Sequence, residues 1–177
     1  MVSLFLDRDG VINRQIIGGY VTKLEEFEFL PNVLEALVLL AKKFDRIIIV
    51  TNQQGIGKGI FSEADLEKIH QYMLAKITNA GGRIDKIYVS PHLESENSPN
   101  RKPNIGMALQ AKRDFPEIDF SRSIMAGDSL IDMQFGKNAG MKTIFLSKSI
   151  SLPKEISIFA DEIFTDLADF AQTKTDK

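Results

Sequence analysis

A hydrophobic segment near the N-terminus ends in two aspartates that are separated by one residue. Residues 4–6 are apolar, Asp7 and Asp9 follow at once, and Gly10 marks the point where the chain turns. Beyond the end of a strand the chain can curl, so that side chains two positions apart reach one small volume. Two carboxylates brought together without a cation repel each other, and one of them takes up a proton. The pair therefore indicates a site that holds a divalent metal ion, a lysine or both.

Hydrophobic segments of strand type alternate with amphipathic helical segments along the chain. We predict strands at residues 2–6, 46–50, 84–89, 123–126, 142–146 and 162–164, and helices at 31–43, 62–80, 106–113, 130–138 and 166–172. Such alternation predicts an α/β fold, a three-layer sandwich built on a doubly wound parallel sheet. Because no repeat or linker interrupts the pattern, residues 1–177 are expected to form one domain, with a frayed tail at residues 173–177.

Polar side chains cluster at the predicted carboxyl ends of the strands, where ligands bind in sheets of this type. Besides the two aspartates, these positions hold Thr51, Asn52, Ser90, His92 and Asp128. Lys102 is the lysine whose strand–loop–helix context brings it toward the same edge. A loop with two glycines, residues 18–21, either folds over this edge or forms a surface turn.

An aspartate in this setting can attack phosphorus and form an aspartyl-phosphate, which divides a difficult hydrolysis into two easier steps. The approach of an anion to a phosphate dianion needs positive charge, which Mg²⁺ and a lysine supply. Asp7 is the predicted nucleophile and Lys102 the predicted lysine. Magnesium prefers oxygen ligands, and the predicted ones are the side chains of Asp7 and Asp128 and the backbone carbonyl of Asp9.

Four further residues have predicted roles around this reaction. Asp9 can protonate the leaving alkoxide and later activate water. Thr51 and Asn52 can hydrogen-bond the phosphate. Asp132 follows the last of the aspartates by one helical turn, and we interpret it as orienting the lysine or a metal-bound water rather than as a surface carboxylate.

The overall composition excludes several other classes of function. The formal net charge is −2 and the pI is about 5.7, so the basic surface that binds nucleic acid is not expected. No apolar run approaches the ~20 residues that span a bilayer, the N-terminus lacks a signal-peptide pattern, and there is no cysteine. We therefore expect a cytoplasmic monomer that acts on a small phosphorylated metabolite, without nucleic-acid or membrane partners.

Taken in order, four motifs resemble those of the haloacid dehalogenase (HAD) superfamily of phosphatases. They are Asp7-Arg8-Asp9-Gly10-Val11, Thr51, Lys102 and Gly127-Asp128-Ser129-Leu130-Ile131-Asp132. Within the superfamily, the chain is similar to the branch without a cap domain that acts on sugar bisphosphates and histidinol phosphate. The residues that carry this finer similarity are Asp7-Arg8-Asp9-Gly10-Val11-Ile12-Asn13, Gly19-Tyr20-Val21, Thr51-Asn52-Gln53-Gln54-Gly55-Ile56, Arg101-Lys102-Pro103, Gly106-Met107 and Asp132-Met133.

This resemblance implies a magnesium-dependent phosphomonoesterase with an aspartyl-phosphate intermediate and a substrate such as D-glycero-D-manno-heptose 1,7-bisphosphate. It also implies that Thr51 and Lys102 steady the phosphoryl group, that Arg101 helps to select the substrate, and that residues 19–21 close over the sugar. Histidinol phosphate is the alternative substrate. The alternative from another class is a catalytically silent binding protein on the same scaffold.

Two departures from the branch bear on metal and substrate. Where members of the branch carry zinc-ligand cysteines, this chain has Ser90-Pro91-His92 and Ser98-Pro99-Asn100. One histidine cannot hold zinc tetrahedrally, so we predict no zinc, and the histidine is either a substrate contact or a remnant of the zinc site. The other departure is Ser129, where heptose enzymes tend to have lysine. Outside the motifs, His70 and Lys58 are predicted to be ordinary solvated residues.

Overall fold

The computed structural model describes residues 2–149 and 151–173, and a six-stranded sheet lies at its centre. The strands are β1 (Ser3–Leu6), β2 (Arg46–Asn52), β3 (Lys86–Ser90), β4 (Ile124–Gly127), β5 (Lys142–Leu146) and β6 (Glu162–Phe164). All pairings between them are parallel, and the order across the sheet is β3-β2-β1-β4-β5-β6. The predicted doubly wound parallel sheet is therefore confirmed.

Helices connect the strands and cover the sheet. They are α1 (Val33–Lys43), α2 (Gln54–Gly57), α3 (Glu63–Asn79), α4 (Gly106–Asp114), α5 (Leu130–Asn138), α6 (Lys154–Phe159) and α7 (Leu167–Gln172), with 3₁₀ turns at Leu24–Glu26, Glu94–Glu96 and Phe120–Arg122. At the start of α3, the Ser62 hydroxyl accepts from the Asp65 N–H at 3.1 Å, which caps the helix. The short helices α2 and α6 were not predicted, because one or two turns show no clear periodicity.

Helices pack against both faces of the sheet, which gives the three layers of the sandwich. Successive strand residues point to opposite faces. The face that includes Leu4 and Leu6 packs against α1, α3 and α7, and the face that includes Phe5 and Met125 packs against α4 and α5. Because they are buried on both sides, the central strands are nearly continuous hydrophobic runs.

The order of the strands reverses between β1 and β4, because the chain proceeds from β1 to β2 on one side and returns to β4 on the other. Asp7 follows β1 directly, and its N–H donates to the carbonyl of Ala126 in β4 at 3.1 Å. Asp128 directly follows β4. Open parallel sheets bind ligands at such a switch point, beyond the carboxyl ends of the strands. The topology thus directs two aspartates from distant parts of the sequence to one crevice.

Among the described residues no cap domain is present. The long connections after β1 and β3, residues 7–32 and 91–105, contain loops, isolated bridges and 3₁₀ turns. Within the same part of the chain, every helix is too short or too polar to cross a membrane. The tail that was predicted to fray lies outside the described residues from residue 174 onward.

Candidate active site

Three carboxylates meet at the switch point. Asp7 follows β1, Asp128 follows β4 and Asp132 lies in the first turn of α5, and one oxygen from each lies within 4.8 Å of the others. The structure thus brings together the two side chains that were predicted to share a cation. Asp132 is only 1% exposed, which excludes the alternative that it is a surface carboxylate.

Two glycines give these carboxylates the room to approach the backbone. Gly10 has a φ of +86°, and a Cβ atom at this position would lie 1.9 Å from Oδ2 of Asp128. A Cβ atom at Gly127 would lie 2.3 Å from the Cβ atom of Asp132. Because only glycine has no Cβ atom and tolerates a positive φ at little cost, the Asp-x-Asp-Gly sequence is a packing requirement of the site.

We expect Gly10→Ala to lower both stability and activity. A left-handed alanine costs about 1–2 kcal/mol, and the loss should exceed this because the methyl group also displaces Asp128. Gly140→Ala is the matched control, because Gly140 has a φ of +78° but nothing within 4 Å of its Cβ position. Urea denaturation and phosphate release measure the two effects. Equal stability losses and intact activity in both variants would contradict the close approach to Asp128.

Lys102 is the cation of this cluster. Its side chain is 2% exposed, and its Nζ lies 2.9 Å from Oδ1 of Asp7 and 2.6 Å from Oδ1 of Asp132. The same Nζ donates to the carbonyl of Val50 at 2.8 Å. Burial alone would lower the pKa of Lys102, but Asp132 and Asp7 outweigh it and raise the pKa above its usual range. Lys102 is therefore a fixed, permanent positive charge beside the predicted nucleophile.

Two side chains hold Lys102 and Asp132 in place. Asn52 pairs with the backbone of Lys102, since its Oδ1 accepts from the Lys102 N–H at 3.0 Å and its Nδ2 donates to the Lys102 carbonyl at 3.1 Å. Ser129 caps α5, and its hydroxyl donates to Oδ2 of Asp132 at 2.6 Å. The sequence did not predict these roles. Ser129 thus fixes Asp132, which in turn contacts Lys102.

By itself the acidic cluster carries too much negative charge to be fully ionised at neutral pH. Burial and the charge of Asp132 raise the pKa of Asp7 from its ordinary value of 3.8 to about 7, although Lys102 opposes them. Burial and the charge of Asp7 raise the pKa of Asp128 to about 8. A divalent cation would relieve this repulsion, and an all-oxygen site suits magnesium. The donor set therefore fits Mg²⁺.

Asp9 lies apart from these three carboxylates and has its own partners. Nη2 of Arg8 donates to both of its oxygens at 2.9 and 3.0 Å, Nδ2 of Asn13 to one oxygen at 2.9 Å, and Nε2 of Gln53 to the other at 2.8 Å. Burial alone would raise the pKa of Asp9, but Arg8 and the hydrogen bonds outweigh it and lower the pKa. Asp9 is thus a carboxylate held in one orientation. Its backbone carbonyl stays a predicted metal ligand.

A cavity of about 480 Å³ opens beside the carboxylates. Its lining includes six residues that were predicted to bind the phosphate or the rest of the substrate, namely Gly19, Tyr20, Val21, Asn52, Arg101 and Lys102. Lys58 also lines it, and its Nζ donates to the hydroxyl of Tyr20 at 3.0 Å, which joins two loops at the mouth of the cavity. Thr51 is 1% exposed, and its hydroxyl accepts from Nε2 of Gln53 at 2.8 Å, next to Asn52 and Gln53, which line the cavity.

Comparisons with known proteins agree with this geometry. A family model described as HAD-hydrolase-like matches residues 99–170. The D-glycero-α-D-manno-heptose-1,7-bisphosphate 7-phosphatase of Campylobacter jejuni is 44% identical over 144 residues, which cover 81% of this chain and 81% of the relative. The D-glycero-β-D-manno-heptose-1,7-bisphosphate 7-phosphatase of Escherichia coli K12 is 36% identical over 179 residues, which cover 96% of this chain and 92% of the relative. The chain belongs to the HAD-like phosphatases.

A solved structure of a HAD-like phosphatase extends the similarity to three dimensions. D,D-heptose 1,7-bisphosphate phosphatase from B. bronchiseptica, complexed with magnesium and phosphate, matches with a TM-score of 0.85 at 30% identity, and the match covers 97% of each chain. The superfamily that four short motifs indicated is thereby confirmed, together with the general activity of a phosphatase.

Sequence reasoning misplaced His70 of this HAD-like phosphatase. The residue was predicted to lie on the surface, but it is 5% exposed, and its Nε2 lies 3.1 Å from Nη1 of Arg8, which is fully buried. The signal was present in the sequence, because residue 70 lies four positions after Leu66 and three before Met73, on the apolar side of α3. His92 is half-buried, its Nδ1 lies 3.0 Å from the carboxylate of Glu96, and it does not line the cavity.

Proposed function

We propose that this HAD-like phosphatase is a magnesium-dependent phosphomonoesterase that forms a phosphoryl-aspartate on Asp7. The observation that carries the proposal is the position of Lys102, whose Nζ lies 2.9 Å from Oδ1 of Asp7 in a cluster that also contains Asp128 and Asp132. A substrate phosphorus at Asp7 would meet an oxygen nucleophile, a buried cation and acidic metal ligands together.

The reaction follows from the partners of Asp7 and Asp9. An oxygen of Asp7 attacks phosphorus, the bond from phosphorus to the sugar oxygen breaks, and the leaving alkoxide takes a proton from Asp9. Water then attacks the same phosphorus, Asp9 accepts the water's proton, and Asp7 is released as a carboxylate. A nearby phosphate dianion favours protonated Asp9 for the first step, because like charges raise the pKa of a carboxyl group.

Three residues prepare the phosphate site for this reaction. Lys102 neutralises charge on the transferring phosphoryl group, and Asn52 fixes the backbone of Lys102, so the cation does not need to reorganise during the reaction. Asp7, Asp128 and the backbone carbonyl of Asp9 would hold a magnesium ion, which would supply further charge neutralisation. We keep Thr51 as a donor to the phosphoryl group, through a hydroxyl that already accepts from Gln53.

The charges around the cavity favour a sugar bisphosphate such as D-glycero-D-manno-heptose 1,7-bisphosphate. Besides Lys102, the lining contains the cationic side chains of Lys58 and Arg101, which can bind a second phosphate while Asp7 attacks the first. Histidinol phosphate would instead bring an ammonium group toward these cations. Residues 19–21, in the loop that contains Tyr20, line the same cavity, and in this proposal they close over the sugar.

A substrate panel tests the proposed function. Phosphate release should be measured with both anomers of the heptose bisphosphate, heptose 7-phosphate, hexose bisphosphates and histidinol phosphate, each with Mg²⁺. We expect kcat/KM for a bisphosphate to exceed that for the matching monophosphate by about 10-fold or more, which corresponds to one charge-assisted contact. Highest activity on histidinol phosphate would support the alternative substrate. No release from any ester would support a silent binding protein.

We expect Arg101→Gln to reduce kcat/KM for the bisphosphate by about 10- to 100-fold, with a smaller effect on the monophosphate. The reason is that the variant removes a charge available to the second phosphate and leaves the reacting phosphate untouched. Arg113→Gln, at the exposed end of α4, is the control and should match the wild type. Equal losses on both substrates would place Arg101 at the reacting phosphate instead.

We also propose that residues 1–177 form one domain and that the protein acts as a cytoplasmic monomer and binds no zinc. The lack of cysteine supports a reducing compartment and leaves no thiolate ligand for zinc. Size-exclusion chromatography with light scattering tests the monomer, and elemental analysis of the purified protein tests for zinc.

A further inference from the structure

Arg8 is a charged side chain without access to solvent. It is 0% exposed, and its Nε finds no hydrogen-bond partner among the described residues. Removing a guanidinium from water costs several kcal/mol unless close partners compensate. Its Nη2 contacts both oxygens of Asp9, and its Nη1 lies 3.1 Å from Nε2 of His70. Arg8 is therefore held between a carboxylate and an imidazole.

His70 is the far end of this chain of contacts, 62 positions from Arg8 along the sequence. A guanidinium has donors only, so Nε2 of His70 must be the acceptor and the ring proton must lie on Nδ1. Burial and the charge of Arg8 lower the pKa of His70 to about 3, which agrees with a neutral ring. α3 thus presents a hydrogen-bond acceptor to the buried guanidinium.

We propose that His70, acting through Arg8, is a positioning residue for Asp9. Nη1 bonded to His70 fixes the plane of the guanidinium, and the fixed plane lets Nη2 contact both oxygens of Asp9. The side-chain amides of Asn13 and Gln53 donate the remaining hydrogen bonds to the Asp9 carboxylate. The inference rests on the proposed function, in which Asp9 transfers protons to and from the reacting oxygens.

The orientation of Asp9 must be held, because its carboxylate could also point away from the reacting atoms. Asp7 and Asp9 are carboxylates two positions apart, directly after β1, so their like charges repel each other, and an unrestrained Asp9 would rotate away from the reacting atoms. A displacement of about 1 Å can reduce a rate by about 100-fold. Substrate affinity depends on other side chains, so the loss should appear in kcat rather than in KM.

Two substitutions of His70 test the proposal. Leucine removes the acceptor, whereas glutamine keeps a carbonyl oxygen at a similar reach. We expect His70→Leu to lower kcat for the sugar phosphate by about 10- to 100-fold with little change in KM, and His70→Gln to recover most of the loss. Gln71→Leu, on the exposed side of the same helix, controls for a leucine placed in α3.

A substrate with a better leaving group than a sugar distinguishes misplacement of Asp9 from disruption of the whole active site. 4-Nitrophenolate leaves without a proton, so His70→Leu should keep a normal first-turnover burst with 4-nitrophenyl phosphate and lose steady-state rate, where water activation needs Asp9. If a folded His70→Leu variant lost both the burst and the steady-state rate, the role of His70 would be merely structural. Equal damage from glutamine and leucine, or an effect on KM alone, would overturn the proposal, whereas an inactive wild type would refute the proposed function itself.

The wild-type protein offers a test that does not depend on a variant that folds. Ring-nitrogen NMR shifts of its two histidines report protonation and tautomer directly. We expect His70 to stay neutral, with its proton on Nδ1, between about pH 5 and pH 8, where an unperturbed histidine would titrate. Titration within this range, or a proton on Nε2, would exclude the contact with Arg8 and overturn the proposal.

Discussion

Replacing Asp7 with asparagine is expected to abolish turnover and leave the fold intact. The asparagine amide cannot act as the anionic nucleophile, so phosphate release should fall by at least about 10⁴-fold, as for other residues that form a covalent intermediate. Stability should not suffer, because Asp7 lies in a cluster whose pKa values are raised by burial and by mutual repulsion. The neutral amide removes part of that repulsion and keeps nearly the same shape.

Phosphate release and thermal denaturation in the same buffer measure the two effects of Asp7→Asn. Asp114→Asn provides a matched control, since it makes the same chemical change at an exposed carboxylate at the end of α4 and should leave activity unchanged. Substantial turnover by a folded Asp7→Asn variant would refute Asp7 as the nucleophile. A large loss of stability would mean that the ion pair with Lys102 supports the fold more than repulsion opposes it.

Removing magnesium with a chelator is expected to silence the enzyme without unfolding it. The three carboxylates of the cluster keep their places through protein contacts, since Lys102 contacts Asp7, Lys102 and Ser129 hold Asp132, and Gly10 leaves room for Asp128. Activity should fall by at least about 100-fold because charge neutralisation of the phosphate is lost. Unchanged activity in chelator would exclude the metal from the mechanism.

Magnesium should also raise the melting temperature, and more so at high pH. Asp7 and Asp128 have pKa values raised from 3.8 to about 7 and about 8, so without metal the folded state binds more protons than the unfolded state between about pH 4 and 8. Stability without metal therefore falls as pH rises through 7 and 8. Magnesium needs the ionised carboxylates, so its stabilisation is larger at pH 8 than at pH 6.

The expected size of the magnesium effect follows from mass action. A ligand at a hundredfold excess over its Kd adds about 2.7 kcal/mol to the free energy of unfolding. For a chain of this length, this corresponds to a rise of about 5–10 °C in melting temperature. Differential scanning fluorimetry at both pH values measures it. Asp128→Asn is the comparison variant, because it removes one predicted ligand and should lose most of the shift. An equal shift in that variant would place the cation elsewhere.

Much of this protein followed from its sequence because the relevant signals are local. Strands such as β2 and β5 are short hydrophobic runs, and each lies within two residues of its predicted bounds. Asp7 and Asp128 were recognised because each ends such a run, and parallel strands bring their carboxyl ends to one edge. The capping of α3 by Ser62 was equally local. In these cases the hydrophobic period and the residue that breaks it carry the information.

The tertiary structure alone decided which polar groups are buried and what they contact. The sequence left open whether Asp132 orients the lysine or a metal-bound water until its carboxylate was found at Lys102, 30 positions away in the chain, and His70 was predicted wrongly until its ring was found at Arg8. A helix pattern shows which side of a helix is apolar, but not which charged group of another element lies against it. Such contacts depend on the packing of distant segments, and that packing has no local period from which it could be predicted.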